Sequence, residues 1–381
     1  MDFRPTEEQE FIRKAARDFA ESEIKPGAAG RDLNAEFPTD IVKQLGELGF
    51  MGIVIPEEMG GAGAGNLAYV MAVEEISRAD AGVGVIMSVN NSLVCDPIHK
   101  FGSDSIKNRY LQKLASGEWL GSYALTEPGA GTDAGAQKTT AIKDGNEYVL
   151  NGTKAFITSG DSCDVTIIYA KTDPDAPSGK GISAFVVEKG IPGFNVGKHE
   201  DKLGIRCSDC VSLIFEDCRI PAENLVGEEG KGFNIALATL DIGRLGIGAQ
   251  AIGIGQACLD ESIAYSKERE QFGKPISYFQ AIQWKLADMA MEVDASRLLI
   301  WRAAWMRDEG MRHTLQSSMG KLFASETAMR AALQAVQIHG GYGYIKEYPV
   351  ERLMRDAKIT EIYEGTSEVQ RLVIARNILT V

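Results

Sequence analysis

Three glutamates near the end of the chain, Glu361, Glu364 and Glu368, recur at roughly helical spacing in the segment KITEIYEGTSEVQR. Carboxylates on a solvated helix face need no chemical role, and most charge runs of this kind have none. Gly365 argues against an unbroken helix, because a glycine inside a helix costs about 1 kcal/mol relative to alanine. The glutamate directly before this glycine therefore needs a different explanation.

The residues after Gly365 indicate that a new helix begins there, since Thr366 or Ser367 can cap the run EVQRLVIARNIL. Glu364 would then occupy a bend before a helix, a place where the backbone can come close to a ligand. Whether Glu364 is a catalytic base depends on the rest of the chain.

Two glycine-rich stretches and a cysteine pair are the other candidate sites. GAGTDA from Gly129 and GIGAQA from Gly246 fit a loose G-x-G-x-x-A pattern. Neither follows a parallel strand inside a βαβ unit, so a Rossmann nucleotide site is not indicated. Cys207 and Cys210 look like half a zinc site, but no second pair stands at metal spacing. We therefore predict no metal.

The net charge of -13 and the hydrophobic content of 44% are those of an acidic globular protein. This charge gives no basis for nucleic-acid binding, and an anionic ligand would need local donors. The longest weakly polar stretch, Leu245 to Leu259, is too short and too rich in Gly and Gln to cross a membrane. The acid-rich N-terminus resembles neither a signal nor a transit peptide. We expect a cytoplasmic protein, most simply bacterial, with a mature mitochondrial matrix form as the alternative.

Helical periodicity occupies the first and last parts of the chain, and short apolar runs separated by turn residues lie between them. Thr6 and Gln9 form a capping box before the first helix. In the middle part, EYVLNGTKAFIT contains Asn151-Gly152, a dipeptide typical of a tight hairpin. Helices, then strands, then helices indicate an α+β fold. We predict a helical domain over 1–119, a β domain over 120–228 and a helical domain over 229–381.

Six segments in order resemble the acyl-CoA dehydrogenase family, and the resemblance runs essentially end to end: YALTEPGAGTDAG, NGTKAFITSG, LDIGRLGIGAQAIGIGQACLD, REQFGKPISYFQAIQ, AVQIHGGYGY and RDAKITEIYEGTSEVQRLVIAR. Within the family, the sequence most resembles the short-chain, butyryl-CoA type. The resemblance implies an N-terminal helical domain, a middle β-barrel or sandwich and a C-terminal four-helix bundle. It further implies FAD as cofactor, acyl-CoA as substrate, electron-transfer flavoprotein as partner and a homotetramer.

The resemblance assigns most of the cofactor site to two segments of the middle domain and to a neighbouring subunit. The residues implied to contact the flavin ring are Tyr123, Leu125, Thr126, Gly131, Thr132, Phe156, Ile157 and Thr158. Those implied to reach the diphosphate and adenosine from a neighbouring subunit are Arg269, Gln271, Phe272, Gln280, Gln337, Gly340 and Gly341. Thr366, Ser367 and Glu368 are also assigned to the cofactor. The chemistry agrees, because a flavin needs a flat apolar wall and glycines where a loop approaches it.

Glu364 matches the catalytic base of the family. In that role it removes the substrate α-proton while a hydride leaves the β-carbon for flavin N5. Its backbone N–H, with a ribityl hydroxyl, stabilises the thioester carbonyl oxygen. Burial against Tyr363 and the acyl chain should raise the pKa of Glu364 toward working pH. The residues assigned to the substrate are Thr132, Asp241, Arg244, Tyr363 and Gly365, of which Arg244 could equally be a solvated charge.

Departures from other family members narrow the expected substrate. Some members carry their base at the position of Gly243, and glutaryl-CoA members carry an arginine at about Gly84; this sequence has neither side chain. Val85 and Val89 are expected at the floor of the acyl pocket. Asp96 is expected to be a solvated acid, as most aspartates are, although an Asp96 facing the pocket would favour cyclic or polar acyl groups.

The sequence thus favours dehydrogenation of a short, saturated acyl-CoA. One alternative is a related enzyme that acts on a branched or cyclic acyl group or works as an enoyl-CoA reductase, because the chemistry is reversible. A non-enzymatic alternative is a flavin-binding electron-transfer or scaffold subunit, which the intact Glu364 disfavours.

Overall fold

The computed structural model describes residues 4–379, and the first part of the chain is helical. The first helix begins as the sequence predicts: Thr6 N–H donates to Gln9 Oε1 at 2.9 Å, and Gln9 N–H donates to Thr6 Oγ1 at 3.2 Å. The helices of this part are α1 (Glu7–Phe19), α2 (Ala28–Asn34), α3 (Thr39–Glu47), α4 (Gly65–Ala79), α5 (Ala81–Ser88), α6 (Asp96–Phe101), α7 (Asp104–Ile106) and α8 (Gln112–Ala115).

A π-helical segment, Val89–Cys95, joins α5 to α6 and anchors the helices to the strands that follow. Asn90 in this segment is fully buried and donates through Nδ2 to the carbonyls of Met51 at 2.9 Å and Leu114 at 3.0 Å. Its Oδ1 accepts from Gly121 N–H at 3.0 Å. Because π-helical turns are often found at functional sites, this segment is a candidate wall of one.

The middle part of the chain is a mostly antiparallel sheet. Its strands are β1 (Gly121–Ala124), β2 (Thr140–Asp144), β3 (Glu147–Thr158), β4 (Val165–Lys171), β5 (Ile182–Glu188), β6 (Phe194–His199), β7 (Cys210–Pro221) and β8 (Leu225–Val226). Their order in the sheet is β6-β7-β3-β2-β4-β5-β8, and β1 lies parallel to β4. Side chains of β4 alternate between a core shared with the helices and a second core inside the sheet. Both faces of β4 are therefore buried.

The hairpin predicted at Asn151-Gly152 is wrong, because β3 runs through both residues without turning. The register with β7 shifts between Leu150 and Gly152, which marks a bulge. Asn151 instead exchanges hydrogen bonds with Asp217 on β7. The real turn lies between β2 and β3 at Gly145, where φ is +62° and only two residues separate the paired ends.

The last part of the chain is again helical. Its elements are α9 (Gly232–Glu268), β9 (Glu270–Gln271), β10 (Lys274–Pro275), α10 (Gln280–Asp308), α11 (Thr314–His339), α12 (Val350–Thr360) and α13 (Ser367–Leu379). By length and composition α9 could cross a membrane, but 78% of its most apolar window is buried inside the protein, as in the core helix of a soluble protein. Glycines allow this burial. A Cβ at Gly253 would lie 2.4 Å from the carbonyl oxygen of Glu74 on α4.

Candidate active site

Glu364 lies in a tight turn between the end of α12 at Thr360 and the start of α13 at Ser367. Its φ is +53°, and that of Gly365 is +96°. A left-handed conformation is unusual for glutamate, and such residues are concentrated at functional sites. Thr366 ends the turn, because its Oγ1 accepts from Val369 N–H at 3.4 Å and so caps α13.

The carboxylate of Glu364 points toward α9 at Gly243. Its Oε2 is buried and has no hydrogen-bond partner within residues 4–379. A Cβ at Gly243 would lie 1.9 Å from this oxygen and 2.9 Å from Leu93 Cδ2. A side chain at 243 would therefore displace the carboxylate from this position. Burial raises the pKa of Glu364 to about 7, against the opposing effect of the Lys321 and Arg244 charges.

Two side chains hold the backbone of this turn. Lys321 Nζ donates to the carbonyl oxygen of Gly365 at 2.8 Å, and Gln370 Nε2 donates to the same oxygen at 2.9 Å and to that of Glu364 at 3.2 Å. Lys321 and Gln370 are both fully buried. Neither residue was predicted from the sequence. The available signal was a lysine on a helix face otherwise made of small residues, since Ser317, Ala324 and Ala328 are buried on the same side of α11.

Asp241 and Arg244 face each other in the first half of α9, near Gly243. Arg244 is 5% exposed, so the alternative of a solvated arginine is wrong. Its Nη1 donates to Asp241 Oδ1 at 2.6 Å and to Ser318 Oγ at 3.4 Å, while Nε is buried without a hydrogen-bond partner among residues 4–379. Thr314 Oγ1 donates to the second oxygen of Asp241 at 2.6 Å. The aspartate therefore orients the buried guanidinium.

Three other predicted residues border the turn. The Tyr363 hydroxyl donates to Gln250 Oε1, and Gln250 Nε2 donates to the carbonyl oxygen of Ala81 at 2.8 Å. Ser367 Oγ is buried and has no partner within the described chain. Glu368 is exposed, and hydrogen bonds at the start of α13 lower its pKa. Ser367 thus offers a free hydroxyl beside Glu364, whereas Glu368 faces solvent.

A second group of predicted residues surrounds β1 and the end of β3. The Tyr123 ring packs on Tyr169 at a centroid distance of 5.2 Å, and its hydroxyl is buried without a hydrogen-bond partner in the described residues. Burial, followed by Tyr169 and the Glu364 charge, raises the pKa of Tyr123. Leu125 is buried, and the carbonyl of Thr126 accepts from Ala155 N–H at 2.9 Å.

The end of β3 presents an exposed aromatic ring. Phe156 is 65% exposed with φ of +58°, while Ile157 is buried and Thr158 partly exposed. Gly131 and Thr132 are exposed in the loop after Thr126, and a Cβ at Gly131 would meet nothing within 4 Å. Phe156 combines an exposed ring with a left-handed backbone. Together with the buried Tyr123 hydroxyl and the open glycine loop, it could bind a planar ring system that has a polar edge.

A third group lies in an open groove of about 580 Å³ where α9 ends and α11 ends. Its lining includes Arg269, Gln271, Phe272, Gly340 and Gly341. Phe272 is 93% exposed with φ of +53°. Gln280 and Gln337 are exposed at the neighbouring ends of α10 and α11. The seven residues expected to act from a neighbouring subunit are therefore on the surface of this chain.

Asp96 differs from the expectation. It is 4% exposed rather than solvated, and it forms ion pairs with Arg307 and, at 3.7 Å, with Lys100. A buried carboxylate requires such a countercharge, and the arginine comes from the end of α10, distant in sequence.

Val85 and Val89 are buried, as expected of pocket-floor residues. Within residues 4–379, no group of three or more His, Cys, Asp or Glu side chains could hold a metal ion.

The sequence profiles of three domains match this chain in order: the N-terminal domain of acyl-CoA dehydrogenase over residues 6–118, the middle domain over 122–218 and the C-terminal domain over 230–379. The chain belongs to the acyl-CoA dehydrogenase family. The α+β architecture expected from the family resemblance is thereby confirmed.

Two relatives cover nearly the whole chain. A short-chain specific acyl-CoA dehydrogenase of Clostridium acetobutylicum is 51% identical over 99% of this chain and 100% of its own. An acryloyl-CoA reductase (NADH) of Anaerotignum propionicum is 52% identical over 100% of this chain and 96% of its own.

Two solved structures also match. Butyryl-CoA dehydrogenase from Megasphaera elsdenii has a TM-score of 0.98 and 47% identity, with full coverage of both chains. A chain from a study of the electron transferring flavoprotein of Acidaminococcus fermentans has a TM-score of 0.99 and 49% identity, also with full coverage of both.

Proposed function

We propose that this chain is an FAD-dependent acyl-CoA dehydrogenase that converts a short-chain acyl-CoA into the trans-2-enoyl-CoA, with Glu364 as its base. The observation that carries the proposal is the Glu364 carboxylate itself. Glu364 as a residue is partly exposed, but its Oε2 is buried, lacks a hydrogen-bond partner in the described chain and is aimed at the bare backbone of Gly243. An ionisable group kept unpaired in a strained turn is typical of a residue that meets its partner only when a ligand binds.

In the proposed reaction, Oε2 of Glu364 forms a bond to the α-proton as the substrate α-carbon–hydrogen bond breaks. FAD, when bound, supplies the acceptor for the hydride that leaves the β-carbon. The pKa of about 7 suits Glu364 to this task, because the base is ionised near neutral pH and still binds a proton well. The buried Arg244 and Lys321 charges favour the ionised carboxylate before the proton arrives.

Packing along α9 supports a short acyl chain. One helical turn beyond Gly243, a Cβ at Gly246 would lie 2.2 Å from Ser88 Oγ and 2.4 Å from the Tyr69 hydroxyl. These two groups are hydrogen-bonded at 2.8 Å and fully buried. The bare helix face between the two glycines is about 4.5 Å long, from three residues at 1.5 Å each. A short acyl chain bound along this face would agree with the short-chain and butyryl-CoA relatives.

Helix α9 also supports the sharing of each FAD between subunits. Gly243 lies beside the candidate base, and Arg269 caps the end of the same helix in the open groove. The two residues are 26 positions apart along the chain. At 1.5 Å per residue they are about 39 Å apart, farther than one extended dinucleotide reaches. The groove of one chain would therefore serve the flavin site of another, and the homotetramer expected of the family provides such a neighbour.

The surface of α10 supports the same assembly. Trp284, Met291, Leu298 and Trp305 stand at intervals of seven residues and are 65%, 65%, 40% and 47% exposed. An apolar stripe of this length on a soluble protein usually marks a protein interface.

We further propose electron-transfer flavoprotein as the electron acceptor, in line with the Acidaminococcus match. We also propose the bacterial cytoplasm as the location, in line with the Clostridium relative.

The decisive experiment is single-turnover reduction of the bound flavin by butyryl-CoA, followed by its visible absorbance, in the parent and in Glu364→Gln. The glutamine keeps the size and the backbone of the turn but cannot take a proton. We expect unchanged FAD content and acyl-CoA binding, with reduction slowed by about 10²- to 10⁴-fold. Exposed Glu216→Gln is the matched control. If Glu364→Gln is reduced at the parent's rate, Glu364 is not the base.

The reductase relative favours a second candidate, in which the same site works as an enoyl-CoA reductase. The same base and hydride carrier serve both directions, so the site geometry does not distinguish them. Reoxidation of chemically reduced enzyme by crotonyl-CoA, compared with reduction by butyryl-CoA, measures the preferred direction. Reduction by butyryl-CoA that is much slower than reoxidation by crotonyl-CoA would favour the reductase.

A further inference from the structure

The turn that carries Glu364 is held by a buried cation. Lys321 is 0% exposed, and its Nζ lies 2.8 Å from the carbonyl oxygen of Gly365. Burying an ammonium group is unfavourable unless charges and hydrogen bonds compensate it. A lysine at this place therefore needs a reason beyond packing, because a leucine or methionine would fill the same volume of α11 without that penalty.

The contact is directed at the strained part of the turn. Glu364 and Gly365 have consecutive positive φ values of +53° and +96°. The carbonyl between Gly365 and Thr366 is fixed by both Lys321 and Gln370. A non-glycine residue in the left-handed region persists only where its surroundings impose that conformation. The two donors provide that restraint, and they hold the carboxylate over Gly243.

The position of Lys321 also gives it an electrostatic effect on the base. The charged groups around the Glu364 carboxylate are Lys321 on α11 and Arg244 on α9, and the ionisable hydroxyls near it are Tyr69, Tyr123 and Tyr363. Arg244 is already paired with Asp241 at 2.6 Å. Lys321 donates to a neutral carbonyl, and the acids that favour its charged form are Glu364 first and then Glu361 and Glu368.

We propose that Lys321 is a positioning residue that holds the Glu364 turn in its left-handed conformation and, through its charge, sets the proton affinity of the catalytic carboxylate. This inference rests on the proposed function in one respect: it takes Glu364 to be the base. Burial lowers the pKa of Lys321, and the Glu364 charge opposes this effect, so the two groups stabilise each other's ionised forms.

The test compares three variants in the FAD-loaded enzyme. Lys321→Arg keeps the charge and the donors, Lys321→Gln keeps a donor without the charge, and Lys321→Met keeps only the bulk. Lys202→Met is the matched control, because Lys202 is a half-buried lysine in the middle part of the chain that donates to the carbonyl of Ser208 at 2.6 Å. The first readout is the protonated carboxyl band of Glu364 in difference infrared spectra, assigned by its absence in Glu364→Gln and followed from pH 5 to 9.

We expect the Glu364 titration midpoint to rise by about one pH unit or more in Lys321→Met and Lys321→Gln, since an opposite charge close to an acid typically lowers its pKa by one to three units. Lys321→Arg and Lys202→Met should leave the midpoint within a few tenths of a unit. The second readout, the pH profile of flavin reduction by butyryl-CoA, should move its acid limb by the same amount in the neutral variants and recover in Lys321→Arg.

The outcomes separate the inference from the proposed function. An unchanged midpoint in both Lys321→Gln and Lys321→Met would overturn the role of Lys321, whatever the activity. A shifted midpoint in an enzyme that no acyl-CoA reduces would support the link between Lys321 and Glu364 and refute the proposed function. Because Lys321→Gln retains a donor for Gly365, it gives a result even if Lys321→Met does not fold.

Discussion

Glu364→Gln should make the protein more stable as well as slow flavin reduction. Burial raises the pKa of Glu364 from 4.5 to about 7. In the unfolded chain this carboxyl ionises near its ordinary value, so between pH 4.5 and 7 the folded protein holds a proton that the unfolded chain releases. Stability is therefore lost as the pH rises through this window. A shift of about 2.5 units at 1.36 kcal/mol each corresponds to about 3 kcal/mol above pH 7.

The size of the effect can be measured as a change in the thermal midpoint of each subunit. An unfolding entropy of roughly 2.1 cal/mol/K per residue gives roughly 0.8 kcal/mol/K for a chain of 381 residues. A gain of about 3 kcal/mol then raises the midpoint by about 4 °C. We expect this difference between Glu364→Gln and the parent at pH 8, and a much smaller one at pH 5, where both are neutral.

Differential scanning calorimetry of the FAD-loaded proteins at both pH values provides the assay. Glu216→Gln is the control, because Glu216 is exposed and should show no pH-dependent gain. If Glu364→Gln were less stable than the parent at pH 8, the carboxylate would be stabilising in its ionised form. The buried, unpaired Oε2 would then not destabilise the folded protein.

Three further predictions concern the surroundings of the base. Gly243→Ala should slow flavin reduction by at least about tenfold, because its Cβ would lie 1.9 Å from Glu364 Oε2. Gly30→Ala is the control, since a Cβ there would have nothing within 4 Å. Equal rates in the two variants would contradict the assigned position of the carboxylate. Arg269→Ala should lower FAD content and the sedimentation coefficient together, and unchanged values of both would count against a shared cofactor site. Butyryl-CoA and hexanoyl-CoA should reduce the flavin faster than dodecanoyl-CoA, and the reverse order would argue against a short acyl chain bound between Gly243 and Gly246.

The sequence predicted the α+β order of the fold because periodicity is a local property. It failed where the outcome depended on a partner distant in the chain. Asn151-Gly152 has the composition of a hairpin, but Asn151 bonds to Asp217 on β7, and this contact between strands holds β3 straight through the dipeptide. Asp96 has the ordinary preference for solvent, but Arg307 from α10 provides a buried countercharge. Neither partner is visible from local sequence.

The candidate site shows the same limit. A glycine and a helix cap directly after Glu364 singled this residue out, and the family resemblance assigned it as the base. Lys321 was not identifiable, since its contact with Gly365 spans 44 residues and its own helix gives no motif. The backbone adds a signal that no residue pattern contains. Among the non-glycine residues with positive φ are Glu364, Phe156 and Phe272, one from each of the three predicted groups around the turn, the β3 end and the groove.

The length of α9 has a consequence for how the protein would behave in dilute solution. Within one subunit, the flavin site and the groove are about 39 Å apart. If one subunit holds the flavin end of an FAD and a second subunit holds its other end, every bound cofactor also links two subunits. Cofactor loading and assembly are then linked by mass action. Dilution would release flavin, and flavin depletion would dissociate the oligomer. Excess FAD would favour the assembled oligomer, and the yellow colour of a preparation would report what fraction of the protein is assembled.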